Sequence, residues 1–328
     1  MKQKIAVLIM SSGQRALQYL LDLLDDRFFI VVHVDQKSGI DNASWRMPSH
    51  AVFCQQRFPV FWGGFNLVLA IRECIRTAFE VNRDFARFAV IAGDSLPVVP
   101  LESLEAALLD LDREYMGLFE IANDPSLRNQ PLSLSVEKYG NEQPWRFQNY
   151  CFYDDELLSP RSRLEAARKF GLDPGTTDYL RGSTERIVNS IVHHLPPRSG
   201  LFPKLFFGEC WWALSCDSIR LIADDMFSEV YTEYFRFFRN PDEHFFHCLL
   251  GNKSVALTTM GKTFAGNMMF VDQDPARAHF GNDALTVEEI KTAHLRHGCL
   301  FARKFDPDRT PEIAAAIERG GYFGDVIA

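Results

Sequence analysis

The chain has 328 residues, 47% of them hydrophobic and 24% charged, and 35 Lys and Arg against 43 Asp and Glu leave a formal net charge of -8. That length and composition exclude a disordered chain and a small disulfide scaffold, and they suit one large α/β unit or about two domains. The acidic balance excludes a surface built as a whole for nucleic acid or anionic lipid, so an anionic ligand has to meet a local basic pocket.

In chain order, the apolar run from Ile5 to Met10 follows a basic start but is too short for the core of a signal peptide, and it reads as a first strand. Short apolar runs then alternate with helical patterns: ALQYLLDLLDD, FFIVVHV, LVLAIRECIRTAFE, RFAVIAG, LESLEAALLDL and YMGLF. This rhythm predicts a mostly parallel sheet covered by helices on both faces. In such sheets ligands bind where the strands end, which singles out the loops SSGQR, HVDQKS and AGDSLP. From about Asn123 to Pro197 the sequence turns polar and irregular, with Trp145, Phe147, Tyr150, Phe152 and Tyr153 among its aromatics, and reads as an insertion on the substrate side. Regular patterning resumes in PKLFFGECWWALSCDSIRLIADD, a strand ending at Leu214 and a helix begun by Ser215. NPDEHFFHCLLG predicts a helix, SVALTT a strand, TVEEIKTAHLRHG a helix with a Thr286–Glu289 capping box, and CLFARKF a closing strand. The seven cysteines are scattered without a C-x-x-C pair, which predicts reduced, buried thiols. No stretch of about 18 apolar residues occurs, so the expectation is a cytoplasmic enzyme without its own membrane span, free or docked at a membrane surface.

The phosphate cradles G-x-G-x-x-G and G-x-x-x-x-G-K-[ST] are missing, as is G-x-S-x-G. Trp62, Gly63 and Gly64 precede a helix that Asn66 is placed to cap; the two glycines allow a ligand close to a helix N-terminus, or simply make a tight turn. His33 and Asp35 end a strand, yet the third position of HVDQK is Lys37, a cation that disfavours a metal bridge; a buried His and a turn-forming Asp are the alternative. Glu243, at the mouth of the PDEHFF helix, is a candidate general base, or else completes a capping box with Asn240. His244 and His247 share a helix face, which permits metal ligation, but without H-E-x-x-H spacing they read instead as two satisfied histidines near aromatics. Arg303 and Lys304 stand in an apolar strand, where a Lys aimed into a cleft binds a diphosphate as a point charge; a surface pair is the other reading.

Taken in order, HVDQKS, FWGGFNLVLA, AGDSLP, FGECWWALS, NPDEHFFHCLL and CLFARKFD resemble the stations of the core-2/I-branching β-1,6-N-acetylglucosaminyltransferase and peptide O-xylosyltransferase family, the family 14 glycosyltransferases. The resemblance spans about Ile5 to Asp306. It implies a GT-A-like, Rossmann-like α/β fold over residues 1–328: a nucleotide-sugar half at 1–120, the insertion at 123–197, an acceptor and catalytic half at 198–310, and a tail helix in 311–328. It implies an inverting transferase that needs no metal or other cofactor and moves GlcNAc or xylose from a UDP-sugar to a glycan or peptide hydroxyl. Nucleic acid is no partner in this reading, and peripheral membrane association is compatible with it.

Carried over, the resemblance makes Glu243 the base and Lys304 the diphosphate contact. Asp35, Trp62, Gly63, Gly64, Asp94 and Arg303 fall on the donor side, and Glu209, Trp211 and Trp212 on the acceptor side. Where the family usually places a second diphosphate-binding Arg, this chain reads NMMFVDQ, and Arg277 or Lys262 is the expected substitute. Two alternatives follow from the same residues: a catalytically silent UDP-sugar-binding protein, and a metal hydrolase built on His33, Asp35, His244 and His247.

Overall fold

In the computed structural model, the described residues are 4–13, 15–121, 150–154, 200–271, 284–295, 299–320 and 324. The first strand, β1 (Ile5–Ser11), is buried along its whole length, as is β2 (Phe28–Val34), and α1 (Ala16–Leu23) joins them. The chain continues through β3 (Ala51–Phe53), α2 (Asn66–Val81) and β4 (Arg87–Ala92). Alternation along β1 divides the interior. Ala6, Leu8 and Met10 face α2 through Val68, Ile71, Cys74 and Ile75, while Ile5, Val7 and Ile9 face Leu17, Leu20 and Leu21 of α1. A strand buried on both faces has to be apolar at every position, which explains why the run reads as continuous rather than alternating.

After β4 come β5 (Leu96–Pro97), α3 (Leu101–Leu108), β6 (Arg113–Glu114) and β7 (Phe119–Ile121). The second described half holds β8 (Leu205–Phe207), β9 (Ala213–Ser215), α4 (Cys216–Leu221), α5 (Ala223–Met226), α6 (Glu229–Phe235), α7 (Phe245–Gly251) and α8 (Ser254–Thr259). It ends with β10 (Thr263–Phe264), β11 (Met269–Val271), α9 (Val287–Leu295), β12 (Phe301–Arg303) and α10 (Pro311–Glu318).

The principal sheet has the order β3-β2-β1-β4-β9, parallel except for β9, and helices cover both faces. From β1 the chain moves outward through β2 to β3, then returns through α2 to β4 on the other side of β1. The order therefore reverses between β1 and β4, and in such sheets ligands bind at the carboxyl ends of the strands at that point. A second sheet, β11-β12-β5, packs with α9 and α10 around a smaller core of Leu96, Phe305, Ile290 and Ile313. It delivers the end of β12 to the same edge: the Phe305 N–H donates to the Asp94 carbonyl at 2.7 Å.

Several local expectations change. SVALTT is the helix α8, because Ser254 follows the end of α7 after only Asn252 and Lys253 and the Lys253 carbonyl accepts from the Leu257 N–H. The LFFGECWWALS run is two strands in different sheets: β8 pairs with β7, and β9 with β4. Ser215 does open α4, accepting from the Ser218 N–H, and the Thr286–Glu289 capping box forms in both directions. All seven cysteines are buried thiols outside any disulfide. No helix among the described residues is long and apolar enough to cross a membrane.

Candidate active site

The AGDSLP loop leaves β4 at the switch point. Gly93 lies so close to the end of β1 that a Cβ there would stand 2.9 Å from the Ser11 Oγ. Asp94, 6% exposed, receives the Arg303 guanidinium through Nε at 3.1 Å and Nη2 at 3.4 Å. Arg303 also lies over the Trp211 ring, 5.0 Å from its centroid. Lys304 follows directly, half-buried, its carbonyl accepting from the Leu285 N–H. The strand thus brings Asp94, Arg303 and Trp211 into one stack with Lys304 beside it.

From the other half of the chain, the 3₁₀ turn Pro241–Glu243 docks on the loop between β8 and β9, where the Gly208 N–H donates to the Glu243 carbonyl at 3.0 Å. Cys210 connects the two sides. Burial pushes its thiol well above the ordinary range, Asp242 and Glu243 push it further, and Arg303 opposes them. The same thiol therefore senses the PDE carboxylates and the β12 guanidinium. Beside it, the Asn267 amide donates to Glu209 and to the Met269 carbonyl.

At the Trp62–Gly64 station the two glycines pack against Tyr153, Asn240 and Asp154. Gly63 has φ of +78°, and a Cβ there would stand 2.9 Å from the Tyr153 ring and 3.0 Å from the Asn240 Oδ1. A Cβ on Gly64 would collide with the Asp154 carboxylate. That carboxylate, rather than Asn66, caps α2: it accepts from the Phe65 N–H at 2.6 Å and the Asn66 N–H at 3.1 Å, while the Asn66 side chain donates to the Pro59 carbonyl. Burial raises Asp154 to about 6 against the lowering effect of these two donors. Trp62 is 44% exposed, with the Arg239 guanidinium over its ring. Beside the glycine pair lies a cavity of about 480 Å³ whose walls include Phe65, Leu69, Phe152 and Phe237, with Asp154 and Arg236 as its charged members.

Other expected site residues have structural partners. Asp35, 8% exposed, accepts from the Lys37 ammonium at 2.7 Å, the Lys37 N–H at 2.9 Å and the Val60 N–H at 3.1 Å, and so holds the turn at the end of β2. His33 accepts the Phe58 N–H on Nε2 at 2.9 Å, and burial lowers it to about 4, which leaves a neutral ring. Trp212 is fully buried against Phe246 in the core and presents no face to a ligand, so of the tryptophan pair only Trp211 borders the site. His244 donates from Nδ1 to the Phe206 carbonyl, and His247 is fully buried, lowered to about 3. Among the described residues, no group of His, Cys, Asp and Glu could hold a metal ion.

Lys262, one of the expected second diphosphate contacts, is tied to the Leu111 carbonyl at 2.8 Å and to Asp217 at 3.6 Å, away from the Asp94–Arg303 stack in its bonding. Arg277, the other, lies outside the described residues, as do Trp145 and Phe147. Sequence reasoning missed Cys210, Asn267 and Asp154. Cys210 lies inside FGECWWALS without a signal of its own, and Asn267 and Asp154 lie in no motif: their roles arise from long-range neighbours, 89 positions away for Asp154 and Phe65. Comparison with known proteins finds no matching family model and no significant match among curated proteins.

Proposed function

We propose that the chain is an inverting, metal-independent glycosyltransferase of the GT-A type that transfers a sugar, GlcNAc or xylose, from a UDP-sugar to a hydroxyl of a glycan or peptide. The observation that carries this reading is that one loop, between β8 and β9, meets both stations: its Gly208 N–H binds the Glu243 carbonyl of the PDE turn, and its Trp211 lies under Arg303, which is paired with Asp94. Asp94 follows directly after β4, at the point where the strand order reverses, the usual ligand position in such sheets. Six motifs in family order supply the chemistry.

In this reading the Glu243 carboxylate removes the proton of the acceptor hydroxyl as that oxygen attacks C1 of the donor sugar from the face opposite UDP. The C1–O bond to the diphosphate breaks, and its electron pair leaves with UDP. Lys304, next to the Asp94-anchored Arg303, meets the added negative charge. Asp35 is poorly suited to a divalent cation, because Lys37 already neutralises it and two backbone N–H groups occupy one of its oxygens. The aromatic cavity beside Gly63 and Gly64 provides flat apolar faces with charged neighbours, which suits a sugar ring of the acceptor.

The test is release of UDP from UDP-GlcNAc and UDP-xylose, with and without a panel of glycan and peptide acceptors. Glu243→Gln is expected to lower turnover by about 10² to 10⁴ while UDP still stabilises the protein against heat. Near-parental turnover in Glu243→Gln overturns the assignment of the base. Binding of UDP without turnover in the parent favours the silent sugar-nucleotide-binding alternative.

A further inference from the structure

Asn240 is where a helix cap is expected, and it caps nothing. No side-chain cap bond forms, and the PDE turn is separated from α7 by His244. Its φ is +51°, and it is the one non-glycine residue at positive φ among the described residues. The left-handed region disfavours most side chains, and Asn is among the few that tolerate it. The conformation is held from outside the turn: the Asn240 N–H donates to the Gly63 carbonyl at 2.9 Å, and the Glu243 N–H donates to the Asn240 carbonyl at 3.0 Å.

The side chain is 8% exposed, and its Nδ2 donates to Glu243 Oε1 at 3.2 Å. Among the described residues, the Asn240 Oδ1 has no hydrogen-bond partner; it lies beside Gly63, where a Cβ would stand 3.0 Å away. The opposite amide orientation would set an oxygen against the carboxylate, so the chemistry fixes which end points to Glu243. The Asn240 Nδ2 donor on Oε1 restrains a flexible glutamate side chain.

We infer that Asn240 is a positioning residue for the Glu243 carboxylate, locked by the Gly63 carbonyl, so that the tryptophan-glycine station orients the PDE station. The inference rests on the reading of Glu243 as the base. Its consequence is that Gly63 matters to catalysis through Asn240, not through contact with the donor.

The experiment compares Asn240→Gly, which adopts positive φ freely but has no amide, with Asn240→Asp, which keeps the size and places a negative charge beside Glu243. Three quantities are read for each: kcat and KM for UDP release from UDP-GlcNAc and UDP-xylose, the titration of the Glu243 carboxyl by carbon-13 NMR, and the melting temperature. The titratable or charged groups of the segments packed on this turn include Asp242, Arg239 and His244 on its own segment, Cys210 on the facing loop, Arg303 of β12, which also acts on Cys210, and His247 of α7 beside Gly208, and all stay unchanged in both variants.

Asn240→Gly is expected to lower kcat about tenfold with KM within about twofold, and to move the Glu243 titration upward by roughly half to one pH unit; Asn240→Asp moves both further. A Glu243 titration unchanged in Asn240→Gly, a loss confined to KM, or failure of both variants to fold overturns the inference. If the parent releases no UDP from either donor, the reading of Glu243 as a base falls by itself. The titration then still decides whether Asn240 sets the state of that carboxylate.

Discussion

The strand that carries Asp94 to the site is anchored at its other end by a buried ion pair, and breaking that pair has a calculable cost. Arg87, at the start of β4, and Glu114, in β6, are both 0% exposed. The Arg87 guanidinium donates to Glu114 at 2.9 Å and to the carbonyls of Leu108, Asp110, Arg113 and Ala213 at 2.6 to 3.1 Å. Glu114 in turn accepts from the Ser215 N–H and from the hydroxyls of Ser215 and Ser218. Burial lowers the Arg87 pKa, and Glu114 opposes it first among the neighbouring charges. Arg87→Met removes five donors and leaves a carboxylate in the interior, a type of lesion that costs about 3 to 5 kcal/mol. For 328 residues at about 2.1 cal/mol/K each, the unfolding entropy is roughly 0.7 kcal/mol/K, so a loss of about 4 kcal/mol lowers Tm by about 6 °C. Calorimetry or circular dichroism on the parent, Arg87→Met and Arg87→Met/Glu114→Leu measures this. The double variant is expected to recover part of the loss, because no charge remains unpaired. A Tm for Arg87→Met within 1 °C of the parent, a difference of less than about 0.7 kcal/mol, would falsify the claim that the pair stabilises this junction.

Two further outcomes follow from burial. His33, lowered to about 4 by desolvation, binds a proton more readily unfolded than folded between that value and about 6.5, so stability is full above the unfolded value and falls as pH drops through this window, by about 3 kcal/mol for this residue. His247, lowered to about 3, extends the loss toward lower pH, and urea unfolding at a series of pH values should show His33→Gln flattening the slope between about 4 and 6.5; an unchanged slope refutes it. Because all seven cysteines are buried thiols outside any disulfide, a thiol reagent should modify few or none within minutes in the native protein and all seven in denaturant. Rapid native labelling of Cys210 would contradict its enclosure between the PDE turn and Arg303.

The early β and α elements were legible because burial on both sheet faces imposes continuous apolar runs, and a helix on one face imposes the three-to-four spacing seen in α2. Buried thiols and the Ser215 and Thr286 caps were legible for the same local reason. SVALTT was not, since its β-branched composition favours a strand while its position directly after α7 continues the helical path.

The sequence by itself determined the parallel βαβ core and the location of its loaded loops at the strand ends, because these depend on periodicity within short windows. It also supplied the order of the motifs, and with it the proposal of a sugar transferase. Only the tertiary structure decided which residues meet: Asp94 with Arg303, Cys210 with the PDE carboxylates, Asp154 with the N-terminus of α2, and Asn240 with both Gly63 and Glu243. It also decided that Trp212 packs inside while Trp211 reaches the site, since which side of the loop before β9 is covered is fixed by the elements packed on it. These pairings join segments far apart in the chain, and no local pattern encodes a partner whose position depends on the path between them.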